Sequence, residues 1–250
     1  MKKRKSSAAK HSIVEGTFTA MEVKELDLSN APCHLHDYVH GNPAVKHLFD
    51  YPLQERERFA RRAKQLSGRS FARAELYRHL LQVHKQLPNH TAVIHNIHKL
   101  QNESSVAVVG GQQAGLLTGP LLTIYKAITI LLTARQQEKE LSVPVVPIFW
   151  IAGEDHDLDE IRYVYMQEDE RWYKHSLDAP AKANAASETD LSQEALQAWL
   201  QKLFKQLPET EYTAALIHTI ERMAAESRTY VDFFYSSDAL AISRGRPCFT

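Results

Sequence analysis

Apolar positions along the chain fall into three regimes. Between 53 and 102 they recur at helical spacing, and from 196 onward they do so again. Between 106 and 151 they bunch instead into two short runs on either side of a helical stretch. In the first regime 53–66 and 71–87 read as helices parted by Gly68, the second carrying Phe71, Ala74, Leu76, Leu80, Leu81 and Leu87 as a stripe. Asn89 or Thr91 is placed to cap a third helix that buries Val93, Ile94, Ile97 and Leu100. In the last regime Asp190 with Gln193 has the spacing of a capping box, followed by Leu196, Trp199, Leu200, Leu203, Phe204 and Leu207, with another helix at 211–225.

The middle regime organises the chain. Val106-Ala-Val-Val-Gly-Gly-Gln-Gln-Ala-Gly-Leu-Leu-Thr-Gly-Pro120 reads as a buried strand running into a glycine-rich turn, and Val145-Val-Pro-Ile-Phe-Trp-Ile-Ala-Gly-Glu-Asp-His-Asp157 as a second strand running into an acidic one. The 121–137 stretch between them is helical, starting with Pro120 at its first position and ending in the charged run 135–140. Strand, loop, helix and strand make a βαβ unit of an α/β fold, whose ligands sit at the carboxyl ends of the parallel strands. Pro147 lacks a ladder donor, so either the second strand begins at Ile148 or Pro147 faces an unpaired edge. Trp150 reads as core and Lys126 as a surface charge. Flanking segments 161–166 and 172–177 form a hairpin, and 179–187 a polar linker.

The ends are less regular. Residues 1–20 carry five Lys or Arg in the first ten positions and read as disordered or as a mis-assigned start, with Met21 opening a better one. A short strand or arm at 21–28 leads into a loop-rich 30–53. A buried helix begins at 230–234, and 235–250 fits no element. The resulting scheme is 1–20, a mainly helical 21–104, a βαβ core at 105–178, helices at 179–234 and an aberrant 235–250.

Thirty basic and thirty acidic residues cancel, which argues against nucleic-acid binding by bulk charge. Cys33 and Cys248 form no CxxC pair and fit a reducing, cytoplasmic compartment. No apolar run has membrane-spanning length, and the thirteen histidines show no zinc spacing, so no metal ligands are assigned.

The chemistry concentrates in the two turns. In the first, Gly111, Gln112, Gln113, Gly115, Thr118 and Gly119 offer backbone N–H groups, two carboxamides and a hydroxyl beside a helix N-terminus, a setting that favours phosphate or carboxylate. The spacing is neither GxxxxGK[ST] nor GxGxxG, and such a turn also serves as a plain connection. In the second, Glu154, Asp155, His156 and Asp157 cluster three carboxylates and an imidazole. His156 suits phosphate orientation or proton transfer, and Asp155 or Asp157 an amine, a ribose hydroxyl or Mg²⁺. The bland alternative is a solvated turn in which Asp157 or Asp159 caps a helix.

These two blocks, with Asn42-Pro43, Phe49-Asp-Tyr-Pro52 and Pro208-Glu-Thr-Glu-Tyr212, resemble the bacillithiol biosynthesis cysteine-adding enzyme family, BshC, over 21–234. The resemblance implies a Rossmann-like parallel-sheet core of the class I synthetase or nucleotidyltransferase kind, with its first half present here. It implies ligation of cysteine to glucosaminyl-malate with ATP as activator and Mg²⁺ undetermined, and a coiled-coil homodimer. It assigns no general base. Family members are longer, so the expectation is a truncated or frameshifted chain without the dimerisation segment. Alternatives are another ATP-using ligase or nucleotidyltransferase, a non-catalytic nucleotide-binding remnant and, furthest, a histidine-rich metal binder.

Overall fold

A computed structural model describes residues 33–85, 91–168, 170–178 and 184–244. The expectations for 1–20 and 21–28, the Asn89 cap, residues 179–183 of the linker and 245–250 lie outside them. Two compact units divide the chain, Met1–Arg58 and Phe59–Thr250.

In the first unit, 33–53 is more regular than its prolines suggest, with α1 (Cys33–His40) and α2 (Pro43–Lys46). Side-chain caps explain the difference. Asn42 accepts from the Ala44 N–H at 3.0 Å and donates to Asp37 at 3.0 Å, while Gln54 donates to the carbonyls of Tyr38 and Val39 that end α1. Gly41, at φ +70°, makes the turn between the helices.

Three helices follow, α3 (Arg58–Ser67), α4 (Arg73–Lys85) and α5 (Thr91–Lys99), the latter two where the periodicity puts them and α3 beginning five residues later than the expected 53. The βαβ unit follows as β1 (Val106–Gln112), a 3₁₀ turn (Leu116–Thr118), α6 (Leu121–Leu141) and β2 (Val145–Ile151). The strands pair in parallel, from Val106 opposite Val145 to Gln112 opposite Ile151. Val106 N–H donates to the Pro144 carbonyl and Ala152 N–H to the Gln112 carbonyl, so even-numbered residues of both strands bond each other and odd-numbered ones point outward. Pro147 is therefore inside β2 at no cost to the ladder, its missing donor on the outer edge.

Glycine sets how tightly this unit closes. A Cβ at Gly110 would lie 2.8 Å from Ile130 of α6, and one at Gly111 2.2 Å from the backbone oxygen of Trp150. Trp150 is correspondingly not core: it is 58% exposed, because its register partner is Gly111, which has no side chain to cover it. Two helix ends also differ from expectation. Pro120 caps α6 rather than occupying its first turn, and the charged run 135–140 stays helical to Leu141, ending at Ser142 with φ +54°. Glu, Gln and Lys are strong helix formers, and their charge does not break a helix.

Glu138 of α6 ties three elements. Its carboxylate accepts from Lys99 of α5 at 2.7 and 3.0 Å and from the Val145 N–H at 3.2 Å. Beyond β2 come α7 (Leu158–Ile161), the expected hairpin β3 (Tyr163–Glu168) with β4 (Arg171–Ser176), and α8 (Gln193–Phe204), α9 (Thr213–Glu226) and α10 (Tyr230–Arg244). The Asp190–Gln193 capping box does not form. Ser192 caps α8 through the Ala195 N–H, Asp190 pairs with Arg228, and Gln193 donates to the carbonyls of Ala224 and Ser227 at the end of α9. A capping box does start α10, between Thr229 and Asp232, and the helix runs on through the 235–244 that sequence left formless. The main core lies here, built on Leu158, Ile161, Leu196, Trp199, Leu200, Leu203, Tyr230 and Phe233.

Two predictions follow from these contacts. Gly111→Ala forces a Cβ onto the neighbouring strand and lowers unfolding free energy by about 2 kcal/mol or more, whereas Gly68→Ala, whose Cβ would meet nothing nearer than 3.9 Å, leaves the urea midpoint in place or raises it. For Glu138, burial alone would raise the pKa, but the bonds from Lys99 and Val145 and the charges of Lys99 and His95 bring it below the ordinary 4.5. A depressed folded value stabilises above the unfolded pKa and is lost as pH falls through the folded one. Urea titrations of Glu138→Gln should thus show reduced stability at pH 7 and a gap from the parent that closes in acid below 4.5.

Candidate functional site

Gln112 and Ile151 face each other at the end of the ladder, so both turns leave one edge of the sheet. The first turn is internally braced. Gly115 N–H donates to the Gln113 carbonyl at 2.9 Å and Gly119 N–H to the Leu116 carbonyl at 3.0 Å, which spends two of the donors expected to face a ligand. A Cβ at Gly115 would lie 2.8 Å from the Gly119 Cα, and Gly119 itself adopts φ +66°, ψ −150°. Leu117 and Thr118 between them also have positive φ, 52° and 74°, each costing roughly 1 kcal/mol for a residue with a Cβ. Leu116 holds them there: it is 1% exposed and packs into the main core with Leu158 and Ile161.

From this braced turn a chain of polar side chains extends. Lys126, on the second turn of α6, donates to Gln112 Oε1 at 2.6 Å and approaches the Gly111 carbonyl at 3.4 Å. Gln112 Nε2 donates to Gln113 Oε1 at 3.0 Å, and Gln113 Nε2 reaches Glu160 of α7 at 3.4 Å. Each carboxamide thus has a defined direction, with oxygen toward the cation and nitrogen toward the carboxylate. Lys126 and Glu160 were not legible as partners in sequence. The available signal was that a residue on the second turn of a crossover helix returns to the end of the strand before it.

In the second turn, two carboxylates shape the backbone. Asp155 Oδ1 accepts from the Asp157 N–H at 3.0 Å, and Asp157 Oδ1 accepts from the Asp159 N–H at 3.1 Å, capping α7 as the bland reading of this turn had it. The Ala186 and Ser187 N–H groups bind the carbonyls of Asp155 and Gly153, holding the turn to the segment before α8. Glu154 accepts from Trp150 Nε1 at 3.4 Å. His156 is exposed, its carbonyl accepts from the Leu158 N–H at 3.0 Å, and its imidazole makes no hydrogen bond among the described residues. No hydrogen bond among those residues joins Gln112, Gln113 or Thr118 to 154–157; the two turns connect through Glu160.

Gly111 lies inside β1, where close strand packing accounts for it. Near the start of α6, the hydroxyl of Thr123 is wholly buried without a partner and faces the Gly119 backbone. A surface cavity of about 890 Å³ sits elsewhere, between α3, α4 and the loop before β1, and its Arg73 is committed to Ser105 and the Glu103 carbonyl. Among the described residues no three His, Cys, Asp or Glu converge on a metal position, and no helix is long and apolar enough to cross a membrane.

The model of the bacillithiol biosynthesis BshC family, N-terminal Rossmann-like domain, matches residues 21–238, which include both turns. A protein of Halalkalibacterium halodurans named "Putative cysteine ligase BshC" is 44% identical over 214 residues, 86% of this chain and 40% of its own length. Proteins of the same name from a Geobacillus species and from Bacillus cereus are 41% identical over 217 and 215 residues, with the same coverage. The chain spans about 40% of the length of the curated relatives it matches.

The anchoring of the glycine turn can be measured directly. Leu116→Ala should lower unfolding free energy by about 3 kcal/mol and, with positive φ at Leu117 and Thr118 no longer enforced, raise the rate of limited proteolysis within 113–120 under native conditions.

Proposed function

The chain belongs to the bacillithiol biosynthesis BshC family, and on that premise we propose that it supplies the N-terminal, Rossmann-like part of a cytoplasmic ligase that joins cysteine to glucosaminyl-malate. The observation that carries this reading is the family match across 21–238, whose two most distinctive blocks the fold places at the ends of adjacent parallel strands.

The bond to be made is an amide between a cysteine carboxylate and a glucosaminyl amine. ATP, when bound, supplies the activation of the carboxylate, as an acyl-adenylate or an acyl-phosphate. The side chains at the strand ends suit such partners. Lys126 and the start of α6 offer positive charge to an anionic group, and Gln112 and Gln113 offer oriented carboxamides. In this reading exposed His156 and Glu154 take up the proton leaving the amine, with Asp155 and Asp157 keeping the turn that carries them in shape. Placement and electrostatics, more than covalent chemistry, are what this site contributes. The homodimer implied by family resemblance belongs to the same proposal for the longer ligase, and sedimentation of a full-length relative tests it.

The activity test is incubation of the purified protein with cysteine, glucosaminyl-malate and Mg-ATP, with bacillithiol detected by mass spectrometry. We expect product that falls at least tenfold in His156→Ala and Gln112→Ala, either from this chain alone or from this chain mixed with the polypeptide its relatives carry beyond the matched region. Absence of product in both arms, while a full-length relative turns over, overturns the proposal.

A further inference from the structure

We infer that Lys126 is the anion-receiving group of this site, binding a carboxylate or phosphate oxygen of the ligand at the carboxyl end of β1. The inference rests on the functional reading only for the choice of anions to test.

Half-buried on α6, the Lys126 ammonium has two neutral protein partners, Gln112 Oε1 at 2.6 Å and the Gly111 carbonyl at 3.4 Å. Among the described residues no Asp or Glu pairs with it, in contrast to Lys99, which has the Glu138 carboxylate. Removing an ammonium from water without a counter-charge is unfavourable, and a bound anion reverses that cost. Location argues the same way. The ammonium stands where ligands bind in open parallel sheets, beside a turn held in positive φ by its own packing. The orphaned, fully buried hydroxyl of Thr123 lies one turn earlier on the same helix, facing Gly119. Gln112 is the device that aims the ammonium. Its amide nitrogen is committed to Gln113 and, through it, to Glu160, so its oxygen stays directed at Lys126.

Calorimetric titration of the purified chain at low salt tests this with two pairs of probes. Mg-ATP against adenosine reports a phosphate, and L-malate against its diamide reports a carboxylate. The anionic member of at least one pair should bind and its neutral counterpart should not. Lys126→Met should weaken that binding at least tenfold, Lys126→Arg much less, and Lys139→Met, on the exposed end of α6, not at all. Gln112→Glu, nearly isosteric, should match the Lys126→Met loss by supplying the counter-ion internally, which keeps the test decisive if the methionine variant folds poorly. In the unmodified protein the same anion should slow acetylation of Lys126 but not of Lys139. Undiminished binding in both Lys126→Met and Gln112→Glu, or no binding of either anion at millimolar concentration, overturns the inference. Anion binding through Lys126 without bacillithiol formation would leave it standing while removing the ligase reading. Full ligase activity in Lys126→Met would do the opposite.

Discussion

The absence of side chains at Gly110 and Gly111 is the constraint from which the rest of the βαβ unit follows. At Gly110 it lets α6 descend onto β1, and at Gly111 it lets the end of β1 approach Trp150. Once those distances are set, the register from Val106–Val145 to Gln112–Ile151 has no slack, since a one-residue slip would invert every side chain. Both turns then leave at one level, and a helical residue as distant in sequence as Lys126 comes back to Gln112. The glycines that looked like a ligand cradle divide into two groups with different physical duties. Gly110 and Gly111 serve strand and helix packing; Gly115 and Gly119 serve the turn itself.

The turn depends in its own way on the core. Positive φ at Leu117 and Thr118 is a conformation that neither residue prefers, and it persists because Leu116 is buried among Leu158, Ile161 and the helices behind them. The second turn is held by different means, through carboxylates bonded to their own backbone and through Ala186 and Ser187. One side of the site is thus positioned by apolar packing and the other by hydrogen bonds, with Gln113 and Glu160 between them.

Most of the fold was legible because its signals are local. Periodicity located α3 to α6, α8 and α9, and two runs flanking a polar stretch located the hairpin, whereas the glycines after Val109, read as the turn, continue β1 to Gln112. Misreadings came where a distant partner decides. Asp190 was assigned to a cap that Ser192 takes, because Arg228 claims Asp190 from 38 residues away. Trp150 looked like core because nothing in its own neighbourhood shows that Gly111 lies opposite. For the site, residue types and location were readable and partnerships were not. Asp155 and Asp157 showed their carboxylates but not that both are spent on the turn, and Lys126 looked like any surface lysine until the crossover returned it to the strand.

Pro147 carries a further consequence for how the sheet meets other backbone. Outward-facing donors of β2 begin with Val145, whose N–H is taken by Glu138, and continue with Pro147, which has none. The outward edge of β1 differs: Ser105 O is held by Arg73 and Gly111 O is approached by Lys126, but Ala107 and Val109 between them are exposed, in strand geometry, and aimed away from β2. The sheet is therefore handed in its reactivity as well as its twist. A new strand laid along β2 would find its first two donors missing, whereas along β1 no hydrogen bond from the described residues occupies the outward groups of Ala107 and Val109. Among the described residues the sheet thus has one edge short of donors and one with its donors in place, and one imino acid with one carboxylate makes the difference.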